Sequence, residues 1–154
     1  MLKEKLNSMY KEANVAYKTM LSEKVEPTVK EEAPNVAKIL CENMVEKMTA
    51  EITANNGKPP RDLKLCVEMH ESLGELTVLI ETTVEERAAI FPVTAGSCFE
   101  NGKMCQEYNS KLDPKFRQYL MDKVKEILAK EGVYSKTEND LIMFYWSYEN
   151  RSWK

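Results

Sequence analysis

The sequence predicts an α+β fold, in which a small antiparallel sheet packs with amphipathic helices. Polar and apolar residues alternate through a central hairpin over 63–83, and 141–148 is apolar on both faces, as in a covered strand. Apolar residues recur every three or four positions in three further segments, which we predict as helices over 2–22, 34–55 and 114–131.

The length of the chain sets the expected domain organisation. Its 154 residues suffice for one domain with a core of its own. We therefore expect a single domain over 1–154, in which 1–57 forms a helical N-terminal layer or arm and 58–154 forms the α+β core.

The first helix carries a narrow apolar stripe with lysines and glutamates around it. The stripe members are spaced alternately four and three apart: Leu2, Leu6, Met9, Ala13, Ala16 and Met20. Two interpretations fit this pattern. The helix packs on the core of its own chain, or it is a coiled-coil arm that pairs with a second copy.

The connector over 23–33 is predicted to separate the first two helices. Thr28 and Glu31 have capping-box spacing, but a helix beginning there would hold Pro34 inside it, where its ring clashes with a carbonyl one turn back. We therefore expect a turn at most over 28–32, with the second helix beginning near Pro34.

The central stretch has a competing interpretation as one long helix over 60–91, which would make the fold a mostly α bundle. Apolar residues from Cys66 to Val84 also recur at three- and four-residue spacing. Gly74 would then lie in the middle of the helix, at a cost of about 1 kcal/mol relative to alanine. The β-branched residues after it fit a strand better, so the hairpin is favoured.

A second hairpin is predicted around Asn101 and Gly102, which accept the positive φ angles of a two-residue turn. This register places Cys98 opposite Cys105. The hypothesis is that the two thiols form a redox-sensitive pair or two ligands of a soft metal, and the competing interpretation is two reduced cysteines in a loop. A short helix is expected before this hairpin, over Val84 to Ile90.

The later helix and strand have clear boundary signals. Asp113 and Pro114 suit the start of the helix over 114–131, and Gly132 suits its end. The strand over 141–148 is expected to pair with the 63–83 hairpin.

Composition bounds the partners and the compartment. The net charge is −3 with no basic block, so duplex nucleic acid is not an expected partner. The apolar runs are too short for a membrane span and the N-terminus lacks the apolar region of a signal peptide. We expect a cytoplasmic location with reduced cysteines, and no cofactor.

Few residues stand out as binding candidates. On a strand, Cys66, Glu68 and His70 lie on one face, and thiolate, carboxylate and imidazole can all bind a metal or act as acid and base. Solvent-side residues that happen to alternate explain the same pattern. Trp146 and Trp153 could fill a pocket of a partner, although an aromatic run such as 144–148 is usually core.

The leading functional hypothesis is a non-enzymatic accessory or regulatory protein that acts through protein–protein contacts, as an oligomer. The amphipathic helices favour it, and the residues with catalytic chemistry do not converge. The alternative is a small-molecule-binding protein or small enzyme, with a pocket between sheet and helices that uses Glu68, His70 and the cysteines.

Overall fold

The computed structural model describes residues 1–83, 97–100, 103–138 and 141–148. These residues form the predicted α+β fold, with two helices and a six-stranded antiparallel sheet following an N-terminal helix. The helical elements are α1 (Leu2–Met20), a π-helical turn (Leu21–Val25), α2 (Glu26–Ala54), a 3₁₀ turn (Pro114–Phe116) and α3 (Arg117–Lys130). The strands are β1 (Asp62–Ser72), β2 (Glu75–Thr83), β3 (Ser97–Glu100), β4 (Lys103–Ser110), β5 (Tyr134–Glu138) and β6 (Leu141–Ser147).

The N-terminal helical segment does not break where the sequence predicted. The prediction of separate helices over 2–22 and 34–55 is wrong at the connector, because α1, the π turn and α2 follow one another without interruption and Pro34 lies inside α2. Together they measure about 80 Å at 1.5 Å per residue. The Thr28 hydroxyl donates to the Lys24 carbonyl at 2.9 Å instead of capping a new helix.

Pro34 is tolerated because of the side of the helix on which it lies. Pro34 and Lys30, whose carbonyl loses its usual donor, are both exposed, so water can satisfy that carbonyl. Val29, Ala33 and Val36, in the turns around Pro34, are buried in the core. Their packing outweighs the local preference of proline for a helix start.

The central hairpin is confirmed, and the single helix over 60–91 is wrong throughout the described part of that range, 60–83. β1 and β2 pair antiparallel from Cys66 opposite Glu81 to Ser72 opposite Glu75. Leu73 and Gly74 form the turn with φ of 52° and 79°, as a two-residue hairpin requires. The predicted helix over Val84 to Ile90 lies outside the described residues.

The sheet has the strand order β3-β4-β2-β1-β6-β5. The C-terminal strand pairs with β1, as predicted, and Leu65 lies opposite Phe144. β5 was not predicted, because its five residues are mostly polar and exposed and carry no alternating pattern. β3 and β4 form the predicted second hairpin, although its turn residues, Asn101 and Gly102, lie outside the described residues.

One face of the sheet, here called the inner face, packs against α2 and α3. Alternate residues of the three central strands enter this core, namely Leu63, Leu65, Val67, Met69, Leu76, Val78, Ile80, Ile142 and Phe144. α3 matches its prediction closely: the Asp113 carboxylate accepts from the Lys115 amide at 3.1 Å, and Gly132 (φ 81°) follows its last turn.

A buried carboxylate ties α2 to the end of β4. Glu32 is only 4% exposed. It accepts hydrogen bonds from the Ser110 hydroxyl and from the Lys111 amide, the latter at 2.7 Å. The Ser110 oxygen in turn accepts from the Leu112 amide at 3.0 Å. Glu32 therefore fixes the chain between the sheet and α3.

Replacing Glu32 with alanine should destabilise the fold by about 3 kcal/mol, since hydrogen bonds to a charged group contribute about 1.5–3 kcal/mol each and the Ser110 hydroxyl would stay buried without its acceptor. Chemical denaturation measures the free energy of unfolding. Glu31→Ala removes an exposed carboxylate one residue earlier and should change stability by less than about 0.5 kcal/mol. Equal losses in the two variants would show that the Glu32 contacts do not hold the turn.

Candidate functional site

The apolar stripe of α1 is exposed to solvent along most of the helix. None of the 19 residues of α1, all of them described, is buried. Leu2 is 70% exposed, Leu6 54% and Met9 56%. The interpretation of α1 as a helix packed on its own core is therefore wrong for most of its length. Exposed apolar surface of this kind typically marks a contact with another molecule.

The base of α1 is anchored to the rest of the chain. Met20 and Leu21 are partly buried and pack against the core, and Val25 is fully buried. The π turn between them holds one residue more than an α turn, so it changes which side of the helix faces the core. The stripe residues that precede Met20 do not contact the core.

A hydroxyl contact joins α1 to α3. Tyr17 hydrogen-bonds to Tyr119, and this bond raises the pKa of Tyr119. The nearby charge of an ionised Tyr17 adds to the increase. Tyr17 and Tyr119 are each about half exposed, at 47% and 44%, so the contact lies at the surface where α1 leaves the core.

An open cleft of about 590 Å³ lies between α2 and α3, next to this contact. Its apolar part consists of Val25, Val29, Pro34 and Tyr119. Charges of both signs line the remainder, namely Glu26, Lys30, Asp122, Lys123 and Glu126. Lys123 and Glu126 pair with each other at 3.4 Å. The cleft includes none of the residues predicted as candidate sites from the sequence.

The predicted site on β1, formed by Cys66, Glu68 and His70, lies on the outer face of the sheet, opposite the helices. Burial along β1 alternates as expected, with Cys66 and Glu68 half-buried and His70 exposed. His70 Nε2 lies 2.8 Å from Glu68 Oε2. A polar contact at such a solvent-accessible position contributes about 1 kcal/mol or less. Among the residues that the structure describes, no group of three or more His, Cys, Asp or Glu could hold a metal ion.

The cysteine register on the second hairpin is as predicted. Cys98 of β3 lies directly opposite Cys105 of β4, with Phe99 opposite Met104 and Glu100 opposite Lys103. Two thiols are fewer than the four ligands of a structural zinc site.

One of the two predicted tryptophans, Trp146, lies in the sheet. Trp146 lies on β6 opposite Leu63 of β1 and packs, partly buried, against the core on the inner face. Trp153 lies outside the described residues.

Sequence reasoning missed the tyrosine contact and the cleft. Both depend on how α3 lies against α1 and α2, and residues about a hundred positions apart carry no local pattern that would bring them together. The sequence shows Tyr17 beside the stripe of the first helix and Tyr119 within the helix predicted over 114–131. Neither position indicates that the two residues meet.

In comparisons with known proteins, no family model, no curated protein and no solved structure matched this chain. In the part of the chain that the structure describes, no helix has the length and apolar character needed to cross a membrane.

Replacing Tyr17 with phenylalanine should lower the pKa of Tyr119 towards the ordinary value for tyrosine, because the hydroxyl of Tyr17 is the main cause of the increase. A pH titration of the Tyr119 ring followed by NMR measures the shift. Tyr10→Phe removes an exposed hydroxyl from the same helix and should leave the titration unchanged. An unchanged Tyr119 titration in the Tyr17 variant would mean that the two rings are not in contact in solution.

Proposed function

We propose that this chain is a non-enzymatic cytoplasmic accessory or regulatory protein that associates with a second copy of itself through α1. The single observation that carries the proposal is the exposed stripe of α1, spaced alternately four and three residues apart. This spacing is the seven-residue repeat through which two helices pack side chains into one another. The repeat extends for about three heptads, roughly the 28 Å length of α1.

A second copy is a suitable occupant of this surface because the stripe is complementary to itself. A two-fold dimer places the same patch on both sides of the contact, and the commonest soluble oligomers are dimers of this kind. Ala13 and Ala16 in the stripe allow the two backbones to approach closely at its centre.

The residues that flank the stripe favour a parallel pair. With Leu2, Met9 and Ala16 at the d positions, Lys5 and Glu12 fall at g, and Tyr10 and Tyr17 at e. In a parallel pair each g residue faces an e residue of the partner, so Lys5 meets Tyr10 and Glu12 meets Tyr17. An antiparallel pair would bring the two Glu12 carboxylates together, and like charges repel.

The contact is expected to be modest in strength. A standard stable interface buries about 800 Å² on each partner, and a helix of three heptads with two alanines in its stripe provides less apolar area than a long leucine-rich coiled coil. A dimer in exchange with monomer suits a regulatory or accessory role better than a permanent assembly.

The alternative of a small enzyme or ligand-binding protein has less support. Its residues Glu68 and His70 lie on the open outer face of the sheet, away from the cleft between α2 and α3. A catalytic pair acts best in a site from which water is excluded, and both members of this pair are open to solvent in part.

Replacing Leu6 with glutamate should convert the dimer to monomer, because it places a charge at an a position of the proposed contact, where the two helices pack against each other. Sedimentation velocity over a range of protein concentrations measures the change. Ser8→Glu adds the same charge on the other side of α1, where Ser8 is exposed, and should leave association intact.

Circular dichroism should show that both variants stay folded, since Leu6 is exposed within its own chain. A wild-type chain that is monomeric at every concentration would overturn the proposal, as would a Leu6→Glu variant that dimerises like the wild type.

A further inference from the structure

The hairpin of β3 and β4 places two thiol-bearing residues at one register position. Cys98 and Cys105 are direct partners across the antiparallel pair. Opposed residues in such a pair have Cα atoms about 4.5 or 5.5 Å apart, depending on the hydrogen-bond pattern. Both separations fall in the range of about 4.4–6.8 Å that a disulfide spans.

A third cysteine, Cys66, lies in the same row across the sheet. It is too far from Cys105 to form a disulfide with it. Cys105 is opposite Glu81 of β2, and Glu81 is opposite Cys66 of β1. Cys66 therefore lies two strands from Cys105, or roughly 9.5 Å at the usual strand spacing. Cysteines whose Cα atoms are more than about 7 Å apart cannot be bridged without movement of the backbone.

Cys41 is set apart from the other cysteines by its element and by its chemistry. It lies on α2, in the helical layer. Burial raises the pKa of its thiol, and the nearby Glu131 and Glu42 add to the increase. A raised pKa leaves less of the reactive thiolate at neutral pH, so Cys41 should react more slowly than an exposed thiol.

We propose that Cys98 and Cys105 form a thiol–disulfide exchange site that reacts with small disulfides such as oxidised glutathione. The thiolate of one cysteine attacks a sulfur of glutathione disulfide, forming a mixed disulfide and releasing one glutathione thiol. The second cysteine attacks the protein sulfur of the mixed disulfide and releases the second glutathione. In total the two protein thiols are oxidised to one disulfide, and one glutathione disulfide is reduced to two thiols.

Oxidation of Cys98 and Cys105 would affect the edge of the sheet, because the pair includes a residue of the edge strand β3. β3 is at one end of the strand order and pairs with β4 alone among the described strands. A strand at a sheet edge has one neighbour to hold it and exposes unpaired backbone groups. A Cys98–Cys105 disulfide would link this edge strand covalently to β4, and reduction would leave only the backbone pairing.

The experiment incubates the full-length chain with defined ratios of reduced and oxidised glutathione, followed by alkylation and peptide mapping. The wild type should lose two of its four alkylatable thiols, and the disulfide should map to Cys98 and Cys105. Cys66→Ser and Cys41→Ser serve as matched controls, and each should form the same disulfide at the same glutathione ratio.

Single variants of the pair should trap the intermediate. In Cys98→Ser the remaining Cys105 should hold a persistent mixed disulfide with glutathione, because no second thiol can displace it, and Cys105→Ser should do the same at Cys98. In the wild type this mixed disulfide should not accumulate.

Two outcomes would overturn the proposal. One is a wild type in which Cys98 and Cys105 are each glutathionylated independently, to the same extent as in the single variants. The other is a first disulfide that includes Cys66 or Cys41.

Discussion

The packing of α2 against the inner face of the sheet is the contact on which the rest of the structure depends. Val29, Ala33, Val36 and Leu40 bury one side of α2 against the strands, and the same helix supports α3. Fully burying a valine or leucine side chain contributes about 1.5–3 kcal/mol, so Val29, Val36 and Leu40 together outweigh the helix-breaking tendency of Pro34. Glu32 extends the same contact to the end of β4 through its hydrogen bonds.

One consequence of this packing is the direction in which α1 leaves the core. Because α2 packs against the sheet and α1 continues from it through the π turn, the apolar stripe lies on a helix whose base is anchored in the core. A helix of 19 residues without tertiary packing is only marginally stable in water, since most helical stability comes from burial of an apolar face. The proposed association would supply that burial, so the order of α1 and the self-association of the chain are two aspects of one hypothesis.

The sequence predicted the parts of the fold that depend on local alternation or on caps. Leu63 to Met69 alternate strictly, Asp113 and Gly132 bound α3, and the register of Cys98 with Cys105 followed from one two-residue turn. The seven-residue spacing of the α1 stripe is visible in the sequence as well. The sequence does not show whether other residues cover the stripe.

The remaining features depend on contacts between distant residues. The prediction at Pro34 was wrong because local rules count its missing donor and cannot count the burial of Val29 and Val36 in the turns around it. β5 was missed because an edge strand that buries little needs no apolar pattern. The row from Cys105 through Glu81 to Cys66 requires the pairing of three strands, which the order of the chain does not reveal.

Amide hydrogen exchange of the wild-type chain, compared between a dilute and a concentrated sample, tests the central claim most directly. Residues 2–20 should exchange rapidly when dilute and gain protection at high concentration, because their hydrogen bonds are stabilised only when the stripe is covered. The buried residues of α2 should be equally protected in both samples and provide the internal reference. Protection of α1 that is the same at both concentrations would contradict the account, since the helix would then owe its order to its own chain alone.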